Sequence, residues 1–171
     1  MVAVVYSLLW ILAAWRMVDW RNWRLLYPTA VFSALGNALY EVVCSRYPLW
    51  AMEANGSPNA TPPALLLILI GMPLSTMIFL SHYPGSKSLG LQALYIAVFI
   101  VLFDLLEYIS VRLGAITYHH GWNLVWSTLF VVVMFPILRV HYKNPAAGIG
   151  LSACAAFGFA ALFGVGFDKM K

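Results

Sequence analysis

The sequence predicts an all-α protein, a polytopic transmembrane helical bundle of six spans, or of five if the first lies at the interface. Three observations carry this expectation. Apolar residues fill 63% of the 171 positions and charged residues only 9%, against about 25% charged in soluble domains. The mean hydropathy is +0.84. The apolar residues fall in solid runs near the roughly 20 residues that a crossing helix needs, without the alternation of barrel strands. A water-soluble globule and a disordered chain are both excluded by these numbers.

The first run, Val2–Trp15, is the shortest and extends by a turn into Arg16–Trp20. Trp10, Trp15, Trp20 and Trp23 follow one another around Arg16, Asp19, Arg21 and Arg24. Tryptophan and arginine favour the headgroup zone, so this end reads as an interfacial anchor. No basic leader or small-residue cleavage site precedes it, so it reads as a retained span. The second run is Leu25–Cys44, the third Pro63–Ser81 and the fourth Leu91–Val111. The fifth is Gly121–Val140 and the sixth Pro145–Phe167. Pro73 in the third and Pro136 in the fifth each remove a backbone donor and predict kinks. Connections are short except Ser45–Pro62, whose Asn55-Gly56-Ser57-Pro58-Asn59 string is made of turn formers. The chain therefore reads as one domain, 1–171.

The net charge of +4 comes from scattered Lys and Arg. No basic stripe is interleaved with aromatics, so nucleic acid is not an expected partner, and the charge reads as topology-setting and as contact with the lipid bilayer. With the N-terminus outside, inner loops carry Arg16, Arg21, Arg24, Lys87, Arg139 and Lys143, and outer ones Arg46, Arg112, Lys169 and Lys171. This bias predicts both termini on the extracytoplasmic side of a cell membrane. Arg139, His141, Tyr142 and Lys143, with Arg21 and Arg24, suit lipid phosphate or simply mark topology. Cys44 and Cys154 lie in apolar runs without CxxC or zinc spacing and read as packing residues.

In the sixth run Ala146, Gly150, Cys154 and Gly158 recur every four positions, as do Ala156, Ala160 and Gly164. Small residues on one face let helix backbones approach closely. The 145–167 helix is thus either buried in the bundle or the seam of a homo-oligomer.

Polar groups inside apolar runs are the best pointers to function, because an ionisable side chain in hydrocarbon costs about 2.5–3.5 kcal/mol on insertion scales. Thr29, Ser33, Asn37 and Glu41 are each four apart, which makes one slowly turning helical stripe facing the bundle. Asp104 and Glu107 are three apart and share a face; two carboxylates there do not both sit comfortably ionised without a cation. Glu41 precedes Arg46 by five residues and Glu107 precedes Arg112 by five. Each glutamate thus lies roughly 7 Å deeper than its arginine. Tyr118-His119-His120-Gly121-Trp122-Asn123, with Ser127 a turn later, opens the fifth run at the same outer end.

Asn37, Glu41, Asp104, Glu107, Trp122 and Asn123 are therefore candidates for one ligand-binding pocket in the outer leaflet. Glu41, Glu107, His119 and His120 are a weaker candidate set for a divalent metal. The same groups suit a proton relay or acid–base chemistry, or a structural network tied to Arg46 and Arg112. No HExxH, nucleophile elbow, Gly-rich phosphate loop or EF-hand loop is present. His82 and His141 lie on the opposite side from His119 and His120, near span ends, which argues against haem.

Several strings carry a resemblance: Asp19-Trp20-Arg21-Asn22-Trp23, Tyr27-Pro28-Thr29, Pro48-Leu49-Trp50, Glu107-Tyr108-Ile109, Ile116–Asn123, and Met134-Phe135-Pro136 followed by Leu138-Arg139 and His141-Tyr142. In this order, across roughly Trp10–Pro145, they resemble a family of small multi-span membrane proteins of unknown function from spore-forming Gram-positive bacteria. The resemblance implies a bacterial plasma-membrane location and brings no activity, cofactor or catalytic residue. Two functions remain open. One is handling of a small ligand, proton or metal at the carboxylate–histidine pocket, as a transporter or lipid-phase enzyme. The other is a non-catalytic scaffold assembling through the small-residue seam.

Overall fold

Six helices and one short ribbon make up the computed structural model, which describes residues 1–166. Phe167, the expected end of the sixth span, and Lys169 and Lys171 of the charge count lie outside the described residues. Helix α1 spans Val2–Met17 and α2 spans Trp23–Val43. Strand β1 is Trp50–Met52 and α3 is Thr61–Ser81. Then come α4 (Leu89–Arg112), β2 (Ile116–Tyr118), α5 (Leu124–Lys143) and α6 (Pro145–Leu162).

Among the described residues α3, α4, α5 and α6 are each long and apolar enough to cross a membrane. The six separate spans expected from the sequence are not reached. Helix α1 has 16 residues, about 24 Å of rise, short of the roughly 30 Å hydrocarbon core. Only together do α1 and the segment Trp20–Val43 pass as a span, and they bend by 92° where they meet. The expected extension of the first helix into Arg16–Trp20 stops at Met17. Val18 is extended there, and the Asp19 amide donates to Ser81 Oγ at 3.0 Å. The Trp20 indole turns back to the Ala14 carbonyl at 3.1 Å.

The N-terminus and the loops sort to two ends of the bundle. The Met1 amine donates to the Asn55 carbonyl and, at 3.0 Å, to Asn55 Oδ1, so the N-terminus meets the 44–60 loop. The bend at 18–22 lies at the other end, where His82 Nε2 meets the Met17 carbonyl at 2.7 Å. Helix α3 is central, with 39% of its apolar window buried, whereas α4 and α6 have 6% each and turn most of their side chains outward. At the bend end an aromatic cluster fills the centre: Phe79, fully buried, packs against Tyr83, Tyr95, Phe99 and Phe135.

The kink expected at Pro73 takes another form. Leu67–Gly71 is a π turn, in which the Met72 amide reaches back five residues to the Leu67 carbonyl. Proline offers no donor and its ring crowds the carbonyl four residues earlier; a wider turn just before it relieves both. Helix α5 continues through Pro136. Asparagines start α5 and α6: Asn123 Oδ1 accepts from the Val125 and Trp126 amides, and Asn144 Oδ1 from the Ala147 amide ahead of Pro145.

Candidate functional site

The site is built where α4 and α5 meet beneath the ribbon. Glu107 Oε1 accepts from Tyr118 Oη at 2.8 Å and from Ser127 Oγ. The Trp122 indole donates to the same Ser127 Oγ at 2.8 Å. One turn deeper, Asp104 Oδ2 accepts from Thr128 Oγ1 at 2.9 Å. The three-residue spacing of the carboxylates is thus answered by two successive hydroxyls on α5.

Tyr118 reaches Glu107 because the ribbon carries it there. Strands β1 and β2 are antiparallel, with Trp50 opposite Tyr118 and Met52 opposite Ile116. Helix α2 anchors β1 through Tyr40, whose hydroxyl donates to the Trp50 carbonyl at 2.6 Å and accepts from the Leu49 and Trp50 amides. The Tyr40 and Trp50 rings stack at 4.4 Å. Burial, and after it the hydrogen bond to Glu107, pushes the Tyr118 phenol above its ordinary range. It therefore stays a donor at neutral pH.

A cavity of about 170 Å³ lies under the ribbon, walled in part by Asn37, Trp50, Gly71, Glu107, Trp122 and Ser127. The π turn forms part of this wall, since Leu67 and Gly71 both line it. Its hydroxyls are turned to protein acceptors: Ser7 to the Ala3 carbonyl, Ser110 and Tyr6 to that of Leu106, Ser127 to Glu107. Asn37 Oδ1, by contrast, is buried with no hydrogen-bond partner. No Lys, Arg or His is among the described residues lining the cavity. A carboxylate on otherwise apolar walls, with no cationic side chain beside it, suits a hydrogen-bond donor, best a cationic one.

Of the ligand candidates, Asn37, Glu107 and Trp122 line this cavity together. Glu41 and Asp104 are not in its wall, and Glu41 Oε1 and Asp104 Oδ1 are buried without a hydrogen-bond partner. Neither Arg46 nor Arg112 supplies one. Asn123 is spent on capping α5. The metal candidates do not assemble: among the described residues no group of three or more His, Cys, Asp or Glu side chains is placed to hold a metal ion. Glu107 is held by hydroxyls inside the bundle. His120 stacks on Tyr47 at 3.5 Å with Nδ1 2.8 Å from the Pro48 carbonyl, and His119 Nε2 lies 3.1 Å from Thr117 Oγ1. Both histidines belong to the exposed face of the turn that follows β2.

At the other end, two of the residues that suit lipid phosphate or mark topology, His141 and Arg139, meet protein groups. His141 is buried, stacked on Phe32 at 4.0 Å, with Nδ1 2.9 Å from Thr29 Oγ1. The Arg139 guanidinium lies over the rings of Tyr83 and Tyr142 at 4.5 and 5.3 Å. His141 thus packs α5 against α2, and Arg139 packs α5 against the loop that follows α3.

Tyr118, Ser127, Trp50 and Tyr6 are parts of the site that spacing could not select. Ser127 had one signal, its place a turn after Asn123. Trp50, Tyr6 and Tyr118 become relevant only through the ribbon and through the approach of α1, which are long-range pairings. Comparison with protein-family models, curated proteins and solved structures finds no match to this chain.

Proposed function

We propose that this membrane protein binds a small, largely apolar molecule with a cationic, hydrogen-donating group in the cavity beside Glu107, as a carrier or as an enzyme acting on a lipid-phase substrate. One observation carries the reading: the largely apolar wall includes the acidic side chain of Glu107, with no Lys, Arg or His among the described lining residues. A volume of about 170 Å³ compares with the 150 Å³ engineered cavity that admits benzene. The absence of a clustered ligand set among the described residues favours an organic cation over a divalent metal. The Lys/Arg bias supports the ribbon end as the outer one, and the resemblance to the spore-former membrane family supports a bacterial plasma membrane.

Glu107→Gln tests the proposal directly. The glutamine Oε1 still accepts from Tyr118 and Ser127, so the variant keeps its fold while losing the charge. In lipid nanodiscs, binding of benzylamine should fall ten-fold or more with Tm changed by only a few degrees. Equal affinity in both proteins would sink the reading.

A second reading, assembly into a homo-oligomer through α6, is favoured by one observation. Gly150, Cys154 and Gly158 are exposed, and a side chain added at Gly150 or Gly158 would meet nothing within 4 Å. If this face is a seam, Gly150→Leu and Gly158→Leu dissociate the oligomer measured by mass photometry in nanodiscs. Monomers in wild type and variants alike would remove this reading.

A further inference from the structure

We infer that the ligand of the Glu107 cavity is a single-chain amphiphile with an ammonium head, and that it enters sideways from the bilayer through a crevice between α1 and α4. The inference rests on the cavity reading above and adds both the ligand class and the route.

A second void of about 170 Å³ lies between the two helices, lined by Tyr6, Leu9, Trp10, Leu102 and Leu106. Three of these residues, Tyr6, Trp10 and Leu106, also line the Glu107 cavity. The two voids are therefore neighbours divided by side chains. Little holds the divide shut. Tyr6 Oη donates to the Leu106 carbonyl at 3.2 Å, and that carbonyl already accepts from Ser110 Oγ at 2.7 Å. Trp10 and Phe103 touch with ring centroids 6.1 Å apart. The outer lip is Leu9 and Leu102, both exposed and both near the middle of their helices. Around them Val5, Leu8, Leu12, Val98 and Leu105 are exposed as well. A surface this apolar at mid-helix depth faces acyl chains, so the mouth of the crevice opens to lipid.

The chemistry of the two voids differs in a way that selects the occupant. The inner one has Glu107 in its wall; the outer one is lined by Leu9, Leu102, Leu106 and the rings of Tyr6 and Trp10. Each is about as large as a cavity that holds one aromatic ring. An ammonium head fits the inner void and a single hydrocarbon chain the outer, whereas a two-chain lipid is too bulky for the slot.

The test uses the full chain in phosphatidylcholine nanodiscs and two probes: dodecylamine carrying a mid-chain diazirine, and water-soluble benzylamine, which needs no crevice. Wild-type protein should be photolabelled on α1 and α4 around Leu9 and Leu102, with labelling displaced by benzylamine and lowered ten-fold or more by Glu107→Gln. Leu9→Trp and Leu102→Trp, each filling the lip, should lower labelling ten-fold and leave benzylamine affinity unchanged. Labelling that survives both tryptophan variants but still needs Glu107 overturns the lateral route while the cavity reading stands. If neither probe binds wild type in a Glu107-dependent way, the cavity reading itself falls and takes this inference with it.

Discussion

A carboxylate inside a membrane protein persists when something answers it, and Glu107 is answered by two hydroxyl donors and an open cavity. Tyr118 is the donor with the most informative titration. Its folded-state pKa lies above the unfolded value, about 10. The stabilisation from its hydrogen bond is therefore complete below pH ~10 and is lost as pH rises through the folded value. Tyr118→Phe should lower Tm at pH 8, and the gap to wild type should begin to narrow only as pH rises above 10. A gap that stays constant at every pH above 10 would mean that the phenol does not act through its proton. At this scale the candidate residues were partly legible. The four-residue spacing of Thr29, Ser33 and Asn37 marks an inward face because a helix repeats every 3.6 residues, and Thr29 and Ser33 are indeed buried. The same stripe reaches Glu41, which stops short of the cavity wall. Tyr118 had no such signal, since nothing local ties it to a glutamate eleven residues earlier.

Helix starts follow local chemistry, so Asn123 and Asn144 as caps, and Pro145 at the first turn, act within a few residues of themselves. The tight approach of α6 to α5 does not. Gly148 sits against His141 so closely that an added Cβ would lie 2.5 Å from the His141 Cα. Backbone cannot yield as a flexible side chain does, and overpacking of this kind costs about 1–3 kcal/mol. Gly148→Ala should therefore lower Tm by several degrees and disturb the Thr29–His141 contact, read as loss of protection of the α5 C-terminal amides in hydrogen exchange. Gly148 lies outside the every-fourth-residue stripe noted in the sequence, because that stripe, with Gly150 and Gly158, is turned outward. A count of small residues cannot tell which face meets a partner. The ribbon is likewise a tertiary product: two three-residue strands whose paired residues lie 64 to 68 positions apart have no pattern of their own.

Across the whole molecule, the two ends differ in charge. Arg16, Arg21, Arg24, Lys87, Arg139 and Lys143 gather towards the bend end, and Arg46 and Arg112 towards the ribbon end. With the ribbon outside, Ala60→Cys in a Cys44→Ala/Cys154→Ala background should react with a membrane-impermeant maleimide on intact cells, and Lys87→Cys only after permeabilisation. The reverse pattern would invert the orientation. The all-helical class and the apolar spans α3 to α6 could be read directly from composition and run length, because each helix closes its own backbone hydrogen bonds and must be apolar along its length to sit in lipid. Where α1 and α2 part at 92°, which of two carboxylates faces a cavity, and whether histidines bind, cap or pack depend on contacts between segments far apart in the chain. Such contacts leave no periodic mark on either segment, so folding alone assigned them.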